Sequence, residues 1–174
     1  RAADPKADLI LTEGKLITAR RKVEPLLKDN PDSFVAQYVF GNILRTAEGS
    51  LPEAMKHLGK ARELYERKYE TWPPPEGGSS EHQLHRELVY AIQALAGELE
   101  QHEYRLEMLD YYDALYSPNL TAEHAWPLMQ LGRFDEAREY AEKAKGKRDP
   151  YQRSLGLNAM CAIEGEAGTR LQRF

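Results

Sequence analysis

The sequence predicts an all-α chain of stacked helix pairs, and three observations point to it. Leu (22) and Ala (20) far outnumber Val (4), Ile (5) and Thr (6). Straight-chain and small residues favour helix, and β-branched residues favour strand. Apolar residues also recur at three- and four-residue intervals, the period of one helical face. Finally, one apolar pattern returns at a fixed distance along the chain.

The 174 residues are 41% hydrophobic and 30% charged, as expected of a folded chain able to bury a core without disulfides. Net charge is −4, so no clustered basic surface argues for nucleic acid. The longest uncharged run, Ser33 to Leu44, is shorter than the roughly 20 apolar residues of a membrane span. No signal-peptide pattern opens the chain, which reads as a piece of something larger. The single cysteine, Cys161, excludes an internal disulfide framework. The compartment stays open, with the cytoplasm favoured.

A first helix is expected over Lys15–Lys28, with Leu16, Ala19, Val23, Leu26 and Leu27 on one face and Pro25 bending it. Asn30-Pro31-Asp32-Ser33 ends it and caps a second helix running to about Ala47. Ser50-Leu51-Pro52-Glu53 has the form of a capping box for a third, whose inner face is Leu51, Ala54, Leu58, Ala61, Leu64 and Tyr65 and which extends to Tyr69. Thr71 to Ser80, with Pro73-Pro74-Pro75 and two glycines, is a linker. Ser80-Glu81-His82-Gln83 reads as a second capping box, before a helix marked by Leu84, Leu88, Ile92, Leu95 and Leu99. Tyr104, Met108, Tyr111, Ala114 and Leu115 mark another, closed by Ser117-Pro118-Asn119. Thr121–Leu131 is the next, with Pro127 as a kink. Gly132 then turns into Phe134, Ala137, Ala141 and Ala144, and Asp149-Pro150 caps a last helix from Tyr151 to about Glu164.

The repeat is explicit. Gly14, Leu16, Ala19, Val23 and Leu26 return 35 residues on as Gly49, Leu51, Ala54, Leu58 and Ala61. They return 118 residues on as Gly132, Phe134, Ala137, Ala141 and Ala144. Glycine turns the pair, the small residue lets its two helices close, and the larger one packs on the neighbour. With its period near 34 residues, the chain resembles the tetratricopeptide repeat (TPR) family. Gln37-x-x-Phe40-Gly41-x-x-Leu44 with Ala54-x-x-x-Leu58, and Leu131-Gly132-Arg133-Phe134-Asp135-Glu136-Ala137, carry the likeness best. The third repeat places Glu107 where the small alanine belongs.

The resemblance implies a right-handed α-solenoid in one domain, 1–174, with repeats at 1–31, 32–70, 81–118 and 119–149 and a partial one at 150–174. It also implies a non-enzymatic scaffold that holds a protein or peptide partner in a concave groove. The partner-facing residues it assigns are Tyr38, Asn42 and Arg45 in the second repeat, Arg86 and Gln93 in the third, and Trp126 and Gln130 in the fourth. Asn158 is a further candidate from the last helix. No cofactor, metal, nucleic acid or direct membrane insertion is expected.

Two alternatives stand beside it. The repeats could serve self-assembly, as a homo-oligomer or as a structural module of a larger protein. They could also form a chaperone-tail carboxylate clamp, for which Arg45 and Arg86 are present and the remaining donors are not recognisable. Sharper chemistry finds little support. His82 and His85 at i, i+3 lack a third ligand by spacing. No nucleophile elbow, Walker loop or dinucleotide fingerprint occurs. Cys161, between Met160 and Ala162, is expected to be a buried, inert thiol. Arg20-Arg21-Lys22 reads as a solvated face. Trp72-Pro73-Pro74-Pro75 reads as a rigid spacer, and Asn119-Leu120-Thr121 as a chance sequon.

Overall fold

The computed structural model describes residues 16–69 and 80–172. Gly14, the linker through residue 79 and Phe174 lie outside them. Every described element is helical: α1 Leu16–Asp29, α2 Phe34–Ile43, α3 Leu51–Arg67, α4 Ser80–Glu98, α5 His102–Leu115, α6 Ala125–Gln130, α7 Phe134–Lys145 and α8 Pro150–Gln172. The chain divides between Leu99 and Glu100 into two compact units.

In the first unit α1 packs on α2, and α3 lies against both α2 and α4. Ala19 and Val23 of α1 meet Val35, Val39 and Ile43 of α2, with Phe34, Phe40 and Leu84 packed around them. Ala54, Leu58, Ala61 and Tyr65, one stripe of α3, are at most 1% exposed. Gly41 explains how closely α2 and α3 approach. A Cβ there would stand 2.7 Å from the Leu58 side chain.

The ends of the elements follow local chemistry, with corrections. Ser33 caps α2 by accepting a hydrogen bond from the Ala36 N–H at 3.2 Å. Ser33→Ala is expected to cost about 1 kcal/mol, read as a fall in the urea midpoint. The second helix does not stay α-helical to Ala47. From Leu44 to Glu48 it widens into a π turn, which closes on Gly49 in the left-handed region at φ 64°. Ser50 makes no side-chain capping bond, so that capping box is not formed. Ser80 is already helical and does not stand before the helix as a cap. Its neighbour Glu81 instead pairs with Lys68.

In the second unit α7 packs against α6 and α8. Leu106, Leu128, Ala137, Ala141, Ala159 and Ile163 belong to its core, with Trp126 and Phe134 packed on it. The single helix expected over Thr121–Leu131 is two pieces, a 3-10 turn Ala122–His124 and α6. Pro127 brings no N–H and so sits in the first turn of α6, where none is needed. Asp149 caps α8, its Oδ1 accepting from the Tyr151 N–H at 2.9 Å. Cys161 is exposed, contrary to expectation. It points away from the stripe of Gln152, Gly156, Ala159 and Ile163 by which α8 is buried.

Glu100, ahead of α5, holds φ 57°. Gly49 and Gly132, each two residues before a helix, take the same conformation at φ 64° and 75°. Glu100 stands in that place ahead of α5. The repeat therefore aligns Arg105, not Glu107, with Ala54 and Ala137. Glu107 is exposed.

Candidate functional site: the α2 and α4 face

On α2 and the π turn after it, Tyr38, Asn42 and Arg45 stand at i, i+4 and i+7 and so share one face. Across from them α4 presents Glu87 and Glu98, with the small Ala91 and Ala94 between. Two contacts join the faces. The Tyr38 hydroxyl donates to Glu87 Oε2 at 3.5 Å. Arg45 donates to Glu98 Oε1 through Nε at 3.1 Å and Nη2 at 2.7 Å.

The electrostatics follow from burial. Tyr38 is 3% exposed. Its pKa is pushed up to about 12, by burial first, with a hydrogen bond from Asn42 opposing and the Glu87 carboxylate adding to it. The phenol is therefore neutral at any ordinary pH and fixes the Asn42 side chain at the surface. Arg45 and Glu98 are part-exposed, at 24% and 43% of their side chains. Such a pair contributes about 0.2–1 kcal/mol. Its main effect is to orient the guanidinium.

The other candidates fall in different settings. Arg86, on α4, is half-buried, and Gln93 is 2% exposed in the interior. In the second unit Trp126 packs on the core of α6 and α7, while Gln130 and Asn158 are exposed. Glu87 and Glu98 are residues of this candidate face that sequence reasoning missed. Their i, i+11 spacing puts them on one face of α4, but only the fold shows what they face.

His82 is half-buried and His85 fully buried. Among the described residues no three His, Cys, Asp or Glu side chains gather as a metal site requires. Nor is any described helix long and apolar enough to cross a membrane.

No protein-family model and no curated protein sequence matches the chain. A solved structure does. YrrB, described as a TPR protein with an unusual peptide-binding site, superimposes with a TM-score of 0.63 at 18% sequence identity, covering 92% of this chain and 84% of that one. With only helices among the described residues, αL turns two residues before α3, α5 and α7, and Gly41 closing α2 on α3, this chain has the all-α tetratricopeptide-repeat fold.

Proposed function

We propose that the chain is a non-enzymatic interaction scaffold, binding a peptide or helix of a partner protein on the leading-helix face made by α2 and α4. The observation that carries this is the pre-formed row Tyr38–Asn42–Arg45, held from behind and across by Glu87 and Glu98. Groups already held in place lose little entropy on binding. Asn42 and Arg45 would contact the partner. The buried Tyr38 and Gln93 would act by positioning neighbours. Arg86 is the further leading-helix candidate on α4, and Trp126 and Gln130 are the corresponding leading-helix residues of the second unit. The likeness to YrrB, itself described as binding peptide, supports the reading. A carboxylate clamp is less well supported, because the Arg45 guanidinium is already engaged by Glu98.

The test is selection of a displayed random-peptide library on the immobilised full chain. Enriched peptides are then titrated against the wild type and an Asn42→Ala, Arg45→Ala variant whose circular dichroism is unchanged. The double variant is expected to bind at least about tenfold more weakly, the size of one lost anchor. Enrichment of peptides that bind both proteins equally would overturn the assignment of this face.

A further inference from the structure

The second unit has a pocket of about 520 Å³ between α5 and α7. That is within the range of small-ligand sites, about 300–1,000 Å³. Its helices differ from those of the α2 and α4 face. We propose that this pocket takes an arginine side chain from a basic segment of a partner protein.

The lining supplies what such a side chain needs in two parts. Leu106 and Leu128, 9% and 2% exposed, make an apolar floor, and Tyr104 adds a wall for an aliphatic stem. Around this, α5 sets Glu103, Glu107 and Asp110 at i, i+4 and i+7, all bordering the pocket. Like charges at that spacing repel and destabilise a helix. Within the fold they are only partly compensated. Asp110 Oδ1 faces His124 Nε2 at 3.1 Å, and Glu103 stands 3.8 Å from Arg133. Glu107 has no ion pair among the described residues. A bound cation would relieve the repulsion.

The pocket already displays the geometry it would use. Arg133 lies on its rim and donates through Nε and Nη2 to the two oxygens of Glu136, at 2.6 and 2.8 Å. That is the two-pronged pairing that planar guanidinium makes with carboxylate and ammonium does not. Glu107, on the same pocket lining, would supply a carboxylate for the incoming guanidinium. The Tyr140 hydroxyl is held above its ordinary pKa by burial first, then by the carboxylates of Asp110, Asp113, Glu136 and Glu139. Tyr140 itself has its ring flat on His124 at 4.3 Å, and Lys143 Nζ lies 5.3 Å from its centroid, which leaves the stem to Tyr104.

The test titrates ¹⁵N-labelled full chain with end-capped tetra-arginine, tetralysine and tetracitrulline. Amide shifts concentrated on α5 and α7, with arginine binding more tightly than lysine and citrulline not binding, are expected. Glu107→Gln should weaken tetra-arginine about three- to fivefold, the scale of one partly exposed charged contact. Glu107→Lys should weaken it more than about tenfold. Glu63→Gln, an equal charge change on α3, should leave it unaltered. Shifts spread over all acidic surfaces, equal binding of lysine, or equal losses in Glu107→Gln and Glu63→Gln would each overturn the proposal. Because the readout is local to α5 and α7, its failure is separable from failure of the α2 and α4 face.

Discussion

Gly156→Ala should lower the thermal midpoint of the protein by roughly 5 °C. Gly156 is where α8 lies on the backbone of α7. A Cβ there would stand 2.8 Å from both the Ala141 carbonyl oxygen and the Lys145 nitrogen, and 3.0 Å from the Ala144 Cβ. Two of these are main-chain atoms of a helix and cannot rotate aside. The helices must separate, and Ala137, Ala141 and Ala144, each 0% exposed, would lose contact together. Overpacking of this kind costs about 1–3 kcal/mol. In a chain of 174 residues, 1 kcal/mol moves the midpoint by about 2–4 °C. Gly59→Ala is the control, since nothing lies within 4 Å of its Cβ position on α3. There the gain in helix propensity of up to about 1 kcal/mol is unopposed, and the midpoint should rise. A midpoint for Gly156→Ala at or above the wild type would show that α8 does not rest on α7 through this residue.

The second large effect is acid sensitivity arising at His85. Its ring is fully buried and stacked on Tyr65, 4.0 Å between centroids and 14° from parallel. Burial first, then the positive charges of His82 and Arg62, holds its pKa down to about 3. In the unfolded chain the ordinary value is about 6.5. The folded pKa is depressed, so the unfolded state takes up a proton that the native state refuses. Above pH 6.5 the residue leaves stability unchanged. From pH 6.5 down to about 3 stability falls, by up to about 4–5 kcal/mol from this group at 1.36 kcal/mol per pH unit. His85→Phe retains an aromatic ring against Tyr65 without the titration. Urea unfolding at pH 7, 5.5 and 4 should therefore show a shallower fall in the variant. Identical slopes in the two proteins would remove His85 from the account.

Helix spacing and the glycine turns are local properties, so Gly49 and Gly132 announced the second and fourth pairs. Glu100 did not announce the third. A side chain rarely accepts positive φ, and nothing nearby marks the position as one that must. Without that turn the repeat slides by two residues and sets Glu107 where Arg105 belongs. Cys161 was misjudged for a related reason. Its neighbours are apolar, but α8 is buried through Gln152, Gly156, Ala159 and Ile163, and the cysteine falls off that stripe.

The candidate site divides in the same way. Tyr38, Asn42 and Arg45 share a face through the helical period alone. That Tyr38 is buried behind the face, and that Arg45 is held by Glu98 53 residues away, depends on where α4 comes to lie.

Composition and periodicity by themselves determined that the chain is helical, paired and repeating, because turn chemistry and the 3.6-residue period act between near neighbours. Which polar side chains meet, which histidine is kept neutral and where a pocket opens were decided only by the tertiary structure. Those outcomes depend on desolvation and distance between residues far apart in sequence.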